Sequence, residues 1–164
     1  MSRYEQDYVE LHKQGKFPGS TVVVYKDRIA NIIKYHNAKT AIDFGCGKAS
    51  PYHNDHLDED WNVDVALYDP FYEPHSKKPE GQYDIVICCD VVEHIPEEEV
   101  QDTLKQLFAY AKKAVVVTFC NRPAKKTLPI SGGNAHCTQR DRQWWEEQLQ
   151  QAGNLPFYLF ENVT

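Results

Sequence analysis

No stretch of this 164-residue chain approaches the roughly 18 consecutive apolar residues that a membrane-spanning helix requires. The opening segment, MSRYEQDYVELHK, has no apolar h-region and does not read as a secretory signal. An excess of positive charge is also missing. Lys and Arg number 18 against 24 Asp and Glu, for a net charge of −6. That disfavours a large nucleic-acid footprint, which relies on clustered cations. Short basic clusters at Lys77-Lys78, Lys112-Lys113 and from Arg122 to Lys126 read as solvated surface. The five cysteines are odd in number and follow no signal, which argues against a disulfide framework. Cys88 and Cys89 are adjacent in an apolar run, where strand neighbours point to opposite faces and cannot share one ion. No metal site is expected: His53 and His56 lack carboxylate or Cys partners at metal spacing and read as exposed helix residues. Repeats, low-complexity tracts and linkers are lacking as well. The expectation is one cytoplasmic globular domain over 1–164.

Hydropathy patterning divides that domain into a helical N-terminal cap or lid, residues 1–36, and an α/β core, residues 37–164. Residues 4–14 read as helical, and Lys16-Phe17-Pro18-Gly19-Ser20 breaks the chain. Residues 22–36 carry Val23, Ile29, Ile32 and Ile33 near helical spacing. Four apolar runs read as strands covered on both faces: Thr40 to Phe44, Val63 to Tyr68, Tyr83 to Cys89 and Ala114 to Phe119. Helices are predicted over 97–111 behind Pro96, and over 138–152 from near Thr138 to Gly153. A last strand runs from Pro156 to Val163. Strands alternating with helices predict a doubly wound, mostly parallel α/β sheet. Only about a dozen residues separate Asp69 from the next strand, too few for a crossover helix and another strand, so the sheet is expected to be trimmed there.

The richest segment is Asp43-Phe44-Gly45-Cys46-Gly47-Lys48-Ala49-Ser50, a strand end followed by a glycine turn. Read bluntly, it is an ordinary strand-to-helix turn. A dinucleotide site would hold an anionic diphosphate here, and a carboxylate two residues before the first glycine opposes that charge. The longer dinucleotide fingerprint also wants glycine where Ser50 stands. S-adenosylmethionine (SAM) carries an ammonium, a carboxylate and a sulfonium but no phosphate. Asp43 can attract the ammonium directly or through water. On charge, the turn favours SAM over NAD. Asp69, followed by Pro70, closes the second strand, where a carboxylate can accept from two ribose hydroxyls; a turn-initiating Asp-Pro is the plainer alternative. The third run ends in Asp90-Val91-Val92-Glu93-His94, which places Asp90, Glu93 and His94 on the same rim, either as ligands or as helix-capping residues.

Together these residues resemble the class I SAM-dependent methyltransferases. The glycine motif is matched by Ile42 to Lys48, the second-strand acid by Asp69, and the Tyr-Asp-apolar-acid-apolar-apolar-Glu-His-Ile-Pro motif by Tyr83 to Pro96. Ala114 to Phe119 and the pattern Trp145, Leu149, Ala152-Gly153 match later elements, so the likeness covers about residues 25–160. In its short stand-alone form the chain looks like members encoded by bacteriophages or found in bacteria. The resemblance implies a Rossmann-like fold, SAM as cofactor, S-adenosylhomocysteine as product, and cofactor contacts from Asp43, Gly45, Cys46, Gly47, Asp69, Pro70, Phe71, Asp90 and Val91. The chain departs from the family in three places: Ala49 replaces a third glycine, the third strand is nearly missing, and the final hairpin lacks a strand. Phe71 or Tyr72 is left to stack on adenine.

Methyl transfer from a sulfonium is an in-line displacement, for which a protein supplies alignment and, where the acceptor loses a proton, a base. His136, in the glycine-bearing loop after the fifth-strand match, and His94 are the candidates; His136 reads equally well as a plain loop residue. Glu93, Asn134 and Trp144 are expected toward the substrate, while Trp145 is expected in the core. Tyr4, Phe17 and Gly19 are candidates for a lid that excludes water. No Asn/Asp-Pro-Pro-aromatic tetrapeptide or Pro-Cys dipeptide is present, which argues against DNA-base methylation. A small-molecule acceptor offering O, N or S is the leading expectation. A non-catalytic SAM-binding partner subunit and an NAD-type oxidoreductase are the alternatives, and a homo-oligomer is left open.

Overall fold

In the computed structural model, which describes residues 3–163, the near-continuous apolar runs become five strands of one sheet. These are β1 (Thr40–Phe44), β2 (Asp64–Tyr68), β3 (Tyr83–Cys88), β4 (Ala111–Phe119) and β5 (Phe157–Glu161). Their order is β2-β1-β3-β4-β5, and every pairing is parallel. The central strands are apolar on both sides because both faces are covered. On one face pack α6 (Glu97–Tyr110) and α7 (Arg142–Ala152), with Leu104, Leu107, Trp145 and Leu149 fully buried. On the other lie α3 (Lys26–Tyr35), α4 (Ser50–Asp55) and α5 (Leu57–Trp61), which contribute Ile29, Ile32, Tyr52 and Trp61. Each fully buried aliphatic or aromatic side chain contributes about 1.5–3 kcal/mol. The two layers therefore hold the sheet rigid beneath its loops. Among the described residues, no helix is long and apolar enough to cross a membrane.

The chain leaves β1 toward β2 on one side and returns to β3 on the other. That reversal opens a crevice beyond the carboxyl ends of β1 and β3, the usual ligand position in such sheets. The expected trimming is present. Between β2 and β3 the chain makes only a 3₁₀ turn at Glu73–His75, and β5 pairs directly with β4.

Several boundaries differ from expectation. The helix expected over 22–36 is two, α2 (Thr21–Val24) and α3, separated by Tyr25 at φ −107° and ψ 7°. Tyr25 leaves the helical path because its ring stacks on Phe160 at 5.5 Å and its hydroxyl donates to the Glu161 carbonyl. The late helix starts at Arg142, not near Thr138. Asp141 caps it by accepting from the Trp144 amide, while the Thr138 hydroxyl donates to the Ile95 carbonyl. Gly153 follows this helix in extended backbone instead of a left-handed cap. Its missing side chain leaves room for Phe108, whose ring carbons would lie 2.4 Å from a Cβ there. α1 (Arg3–Lys13) lies over the carboxyl ends of the strands and brings Tyr4, Tyr8 and His12 to the crevice.

Candidate functional site

The floor of the crevice is the glycine turn. Gly45 and Gly47 have φ of 84° and 55°, the left-handed region where glycine is favoured. Close approach demands glycine too: a Cβ on Gly45 would lie 2.3 Å from Val91 Cγ2, and one on Gly47 would lie 2.3 Å from the Phe17 carbonyl oxygen. The turn's amides are all engaged internally. Gly45 and Cys46 donate to the Tyr68 carbonyl, Gly47 to Asp69 Oδ2, Lys48 to Phe17, Ala49 to Cys46 and Ser50 to Pro18. No run of free N–H groups is left here to cradle a phosphate.

The two carboxylates of this region fare differently. Asp69 lines the crevice, 6% exposed, accepting from Gly47 N at 2.9 Å and Phe71 N at 2.9 Å. His12 Nε2 stands 3.5 Å from its Oδ1. The expectation that Asp43 faces the ligand meets a correction. Its side chain points behind the turn, where it is 3% exposed and accepts from the Tyr52 hydroxyl at 2.8 Å. It does not line the crevice, and neither does buried Cys46. Strand alternation is the cause: Ile42 and Phe44 face the α6/α7 layer, so Asp43 faces α4. Burial pushes the Asp43 carboxyl up to about 7, with the Tyr52 bond opposing and Asp69 adding to the rise.

The crevice measures about 540 Å³, a volume suited to a cofactor-sized ligand. Gly45, Gly47, Asp69, Pro70, Phe71, Asp90 and Val91 line it, as does His94. Tyr8 and His12 line it as well and were not foreseen. They recur with Tyr4 at i, i+4 and i+8 on α1, a stripe legible as one helix face. His12 is 8% exposed, stacks on Tyr72 at 5.3 Å, and its Nδ1 has no partner.

At the far end, His94 sits on a 3₁₀ turn (Val92–His94) after β3. Its Nδ1 donates to the Ala135 carbonyl at 2.9 Å, and the Tyr8 hydroxyl lies 2.9 Å from both atoms. The Tyr4 hydroxyl donates to the His94 carbonyl. Burial lowers the His94 ring to about 4, with Asp90 opposing, so it stays neutral and Nε2 keeps its lone pair. The His136 ring meets it at 4.7 Å and 78°, with Nδ1 donating to the Arg122 carbonyl at 2.6 Å. Asp90 is held at φ 60° by a 2.9 Å bond from its amide to Thr118 Oγ1, a strained backbone at the edge of the crevice. One ligand atom each from Asp90, His94 and His136 falls within 4.8 Å of the others, a set able to hold a metal ion.

The residues expected toward the substrate are placed elsewhere. Glu93 is 0% exposed and off the crevice wall; burial, then Asp90, pushes its carboxyl well above the usual range, with its own amide and that of Cys120 opposing. Asn134 staples its own loop, accepting from the Ala124 and His136 amides and donating to the Ala124 carbonyl. Trp144 packs on the α6/α7 core with Arg140 over its ring at 5.4 Å, while Trp145 is fully buried as expected. None of the three lines the crevice.

A family model described as a methyltransferase domain matches residues 24–158. Two solved structures share the fold. Mitomycin 7-O-methyltransferase MmcR superposes with a TM-score of 0.52 at 16% identity, over 79% of this chain and 48% of that one. An O-methyltransferase family protein from Burkholderia thailandensis does so with a TM-score of 0.50 at 11% identity, over 82% and 52%. The chain thus spans about half the length of the structures it matches. A search of curated proteins returned no match.

Proposed function

We propose, for a chain that belongs to the methyltransferase-domain family, that the crevice binds SAM and that the protein moves its methyl group to a small acceptor through oxygen, nitrogen or sulfur. Oxygen is favoured, because two of the structural neighbours are an O-methyltransferase and an O-methyltransferase family protein. One observation carries the cofactor: every amide from Gly45 to Ser50 is already committed, so the turn suits a ligand without phosphate. This replaces the charge argument from Asp43, whose carboxylate lies behind the turn. It also counts against an NAD-type ligand, whose diphosphate needs those amides.

SAM, when bound, supplies a methyl already activated on a sulfonium. The chain's residues then bind and align. Asp69 can accept from ribose hydroxyls once it gives up His12, and Phe71 offers a ring for the base. Tyr4, Tyr8 and His12 close the crevice from α1 and exclude water, the part of a lid. At the other end, His94 Nε2 is the atom positioned to take an acceptor proton. His136 stands beside it as an orienting contact.

Calorimetric titration with SAM and with NADH tests the cofactor. SAM is expected to bind, with NADH weaker or silent. Asp69→Ala should weaken SAM by about 1–3 kcal/mol, the scale of hydrogen bonds to a charged group. Equal affinity for NADH, or an Asp69→Ala variant with undiminished affinity, overturns the assignment.

A further inference from the structure

We propose that Asp90, His94 and His136 form a site for one divalent transition-metal ion. Three donors from separate parts of the chain converge: one ligand atom of each lies within 4.8 Å of the other two. Metal–ligand bonds of about 2.0–2.2 Å bring donor pairs within about 4.4 Å. Side-chain shifts of a few tenths of an ångström therefore suffice.

The orientation of the rings is the stronger argument. Both histidines donate Nδ1–H to a main-chain carbonyl, His94 to Ala135 and His136 to Arg122. That fixes the tautomer and leaves each Nε2 as the lone-pair donor, the arrangement by which ligating histidines are held from behind. His94 is also clamped by the hydroxyls of Tyr4 and Tyr8. Glu93, 0% exposed and next to Asp90, sets a second acid behind the site, and a cation bound by Asp90 offsets that crowding of acids. Lys126 is the cation that Asp90 now faces, and it rests over the Phe17 ring at 4.3 Å, outside the donor set.

Two imidazole nitrogens with carboxylate favour zinc, iron, cobalt or manganese over magnesium and calcium, which prefer all-oxygen ligands. Asp90 and His94 line the crevice and His136 does not, so the ion's open side faces the acceptor space. This deepens the proposed methyl-transfer reading. The acceptor class becomes a hydroxyl or phenol that would bind through oxygen and release its proton to solvent, His94 then serving as a ligand in place of the base role given it above.

Untagged full-length protein, stripped with chelator, is titrated calorimetrically with zinc, manganese and magnesium chlorides in the absence of SAM, and loaded with cobalt for visible absorption. One zinc or cobalt per chain is expected, with magnesium much weaker. Asp90→Asn and His136→Ala should each weaken zinc by more than about a hundredfold, beyond the loss of even an outer partner. His53→Ala should change nothing; His53 stacks on His75 at 5.6 Å and is the competing place for adventitious binding. Absence of saturable binding, or binding lost in His53→Ala and kept in His136→Ala, overturns the site. His136 lies in a loop, so circular dichroism suffices to check its fold. Ion binding is read without cofactor, so its failure leaves the SAM reading standing, and the reverse holds.

Discussion

The two ends of the crevice are built on opposite terms. Around the glycine turn, every amide and both Asp69 oxygens have partners before any ligand arrives. Around His94, the buried acid Glu93 stands against Asp90, and Asp90 sits on strained backbone. The bonded end offers a ligand no free amide of the turn, only the spare lone pairs of Asp69 and the place that His12 now takes beside it. An end that crowds two acids has a standing cost that a cation relieves. The contrast separates a shape-selecting half from a half that still lacks something.

The largest test concerns Asp43. Its carboxyl titrates near 7 in the fold against an ordinary 3.8, so the folded chain holds a proton that the unfolded chain has released. Stability therefore falls as pH rises from about 4 through 7, by on the order of 4 kcal/mol. Asp43→Asn removes that loss. Its urea midpoint should exceed the parent's at pH 8 and converge with it near pH 4; parallel pH profiles would show that the burial is not felt. Gly47→Ala comes next. It drives a Cβ into the Phe17 carbonyl and should cost about 3 kcal/mol or more in the same denaturation assay. Tyr52→Phe takes away the one donor to Asp43, costs about 1 kcal/mol at pH 8, and moves the Asp43 titration upward by NMR. The smallest effect belongs to the other end. Burial already disfavours the charged form of Glu93, so Glu93→Gln in metal-free protein should stay within about 0.5 kcal/mol of the parent at pH 7. A loss as large as that of Tyr52→Phe would erase the contrast between the two ends.

Much of the fold was legible because apolar runs report burial directly: Thr40–Phe44 is β1 to the residue, and the missing third strand follows from the short span after Asp69. What was lost depended on competition between nearby groups. Thr138 and Asp141 are both good caps; the Ile95 carbonyl claims the Thr138 hydroxyl, and the helix starts from Asp141. Tyr25 lies in a helical pattern but is drawn to Phe160, a residue more than 130 positions away. In the site, Asp69, Asp90 and His94 were identifiable because strand ends gather at one edge. Asp43 was misplaced although alternation with Ile42 and Phe44 carried the answer. His12 and Tyr8 needed the i+4 stripe on α1 to be read as a wall and not as a packing seam. The burial of Glu93 had no signal in its own motif, since an acid beside His and Asp reads as solvent-facing.

The seam between residues 17–19 and 46–49 sets where the roof of the crevice can hinge. A Cβ on Gly19 would lie 2.1 Å from the Cys46 carbonyl oxygen, and the Phe17 and Pro18 carbonyls accept from Lys48 and Ser50. Main chain is riveted to main chain there. Any outward swing of α1 must turn on the stretch before Phe17, where Gly15 holds φ 78° with only the tip of Lys48 nearby. A ligand large enough to lift Tyr8 and His12 would thus enter past a door hung on one short strap and latched by Asp7, which accepts from the Ile130 and Ser131 amides, with the threshold itself left in place.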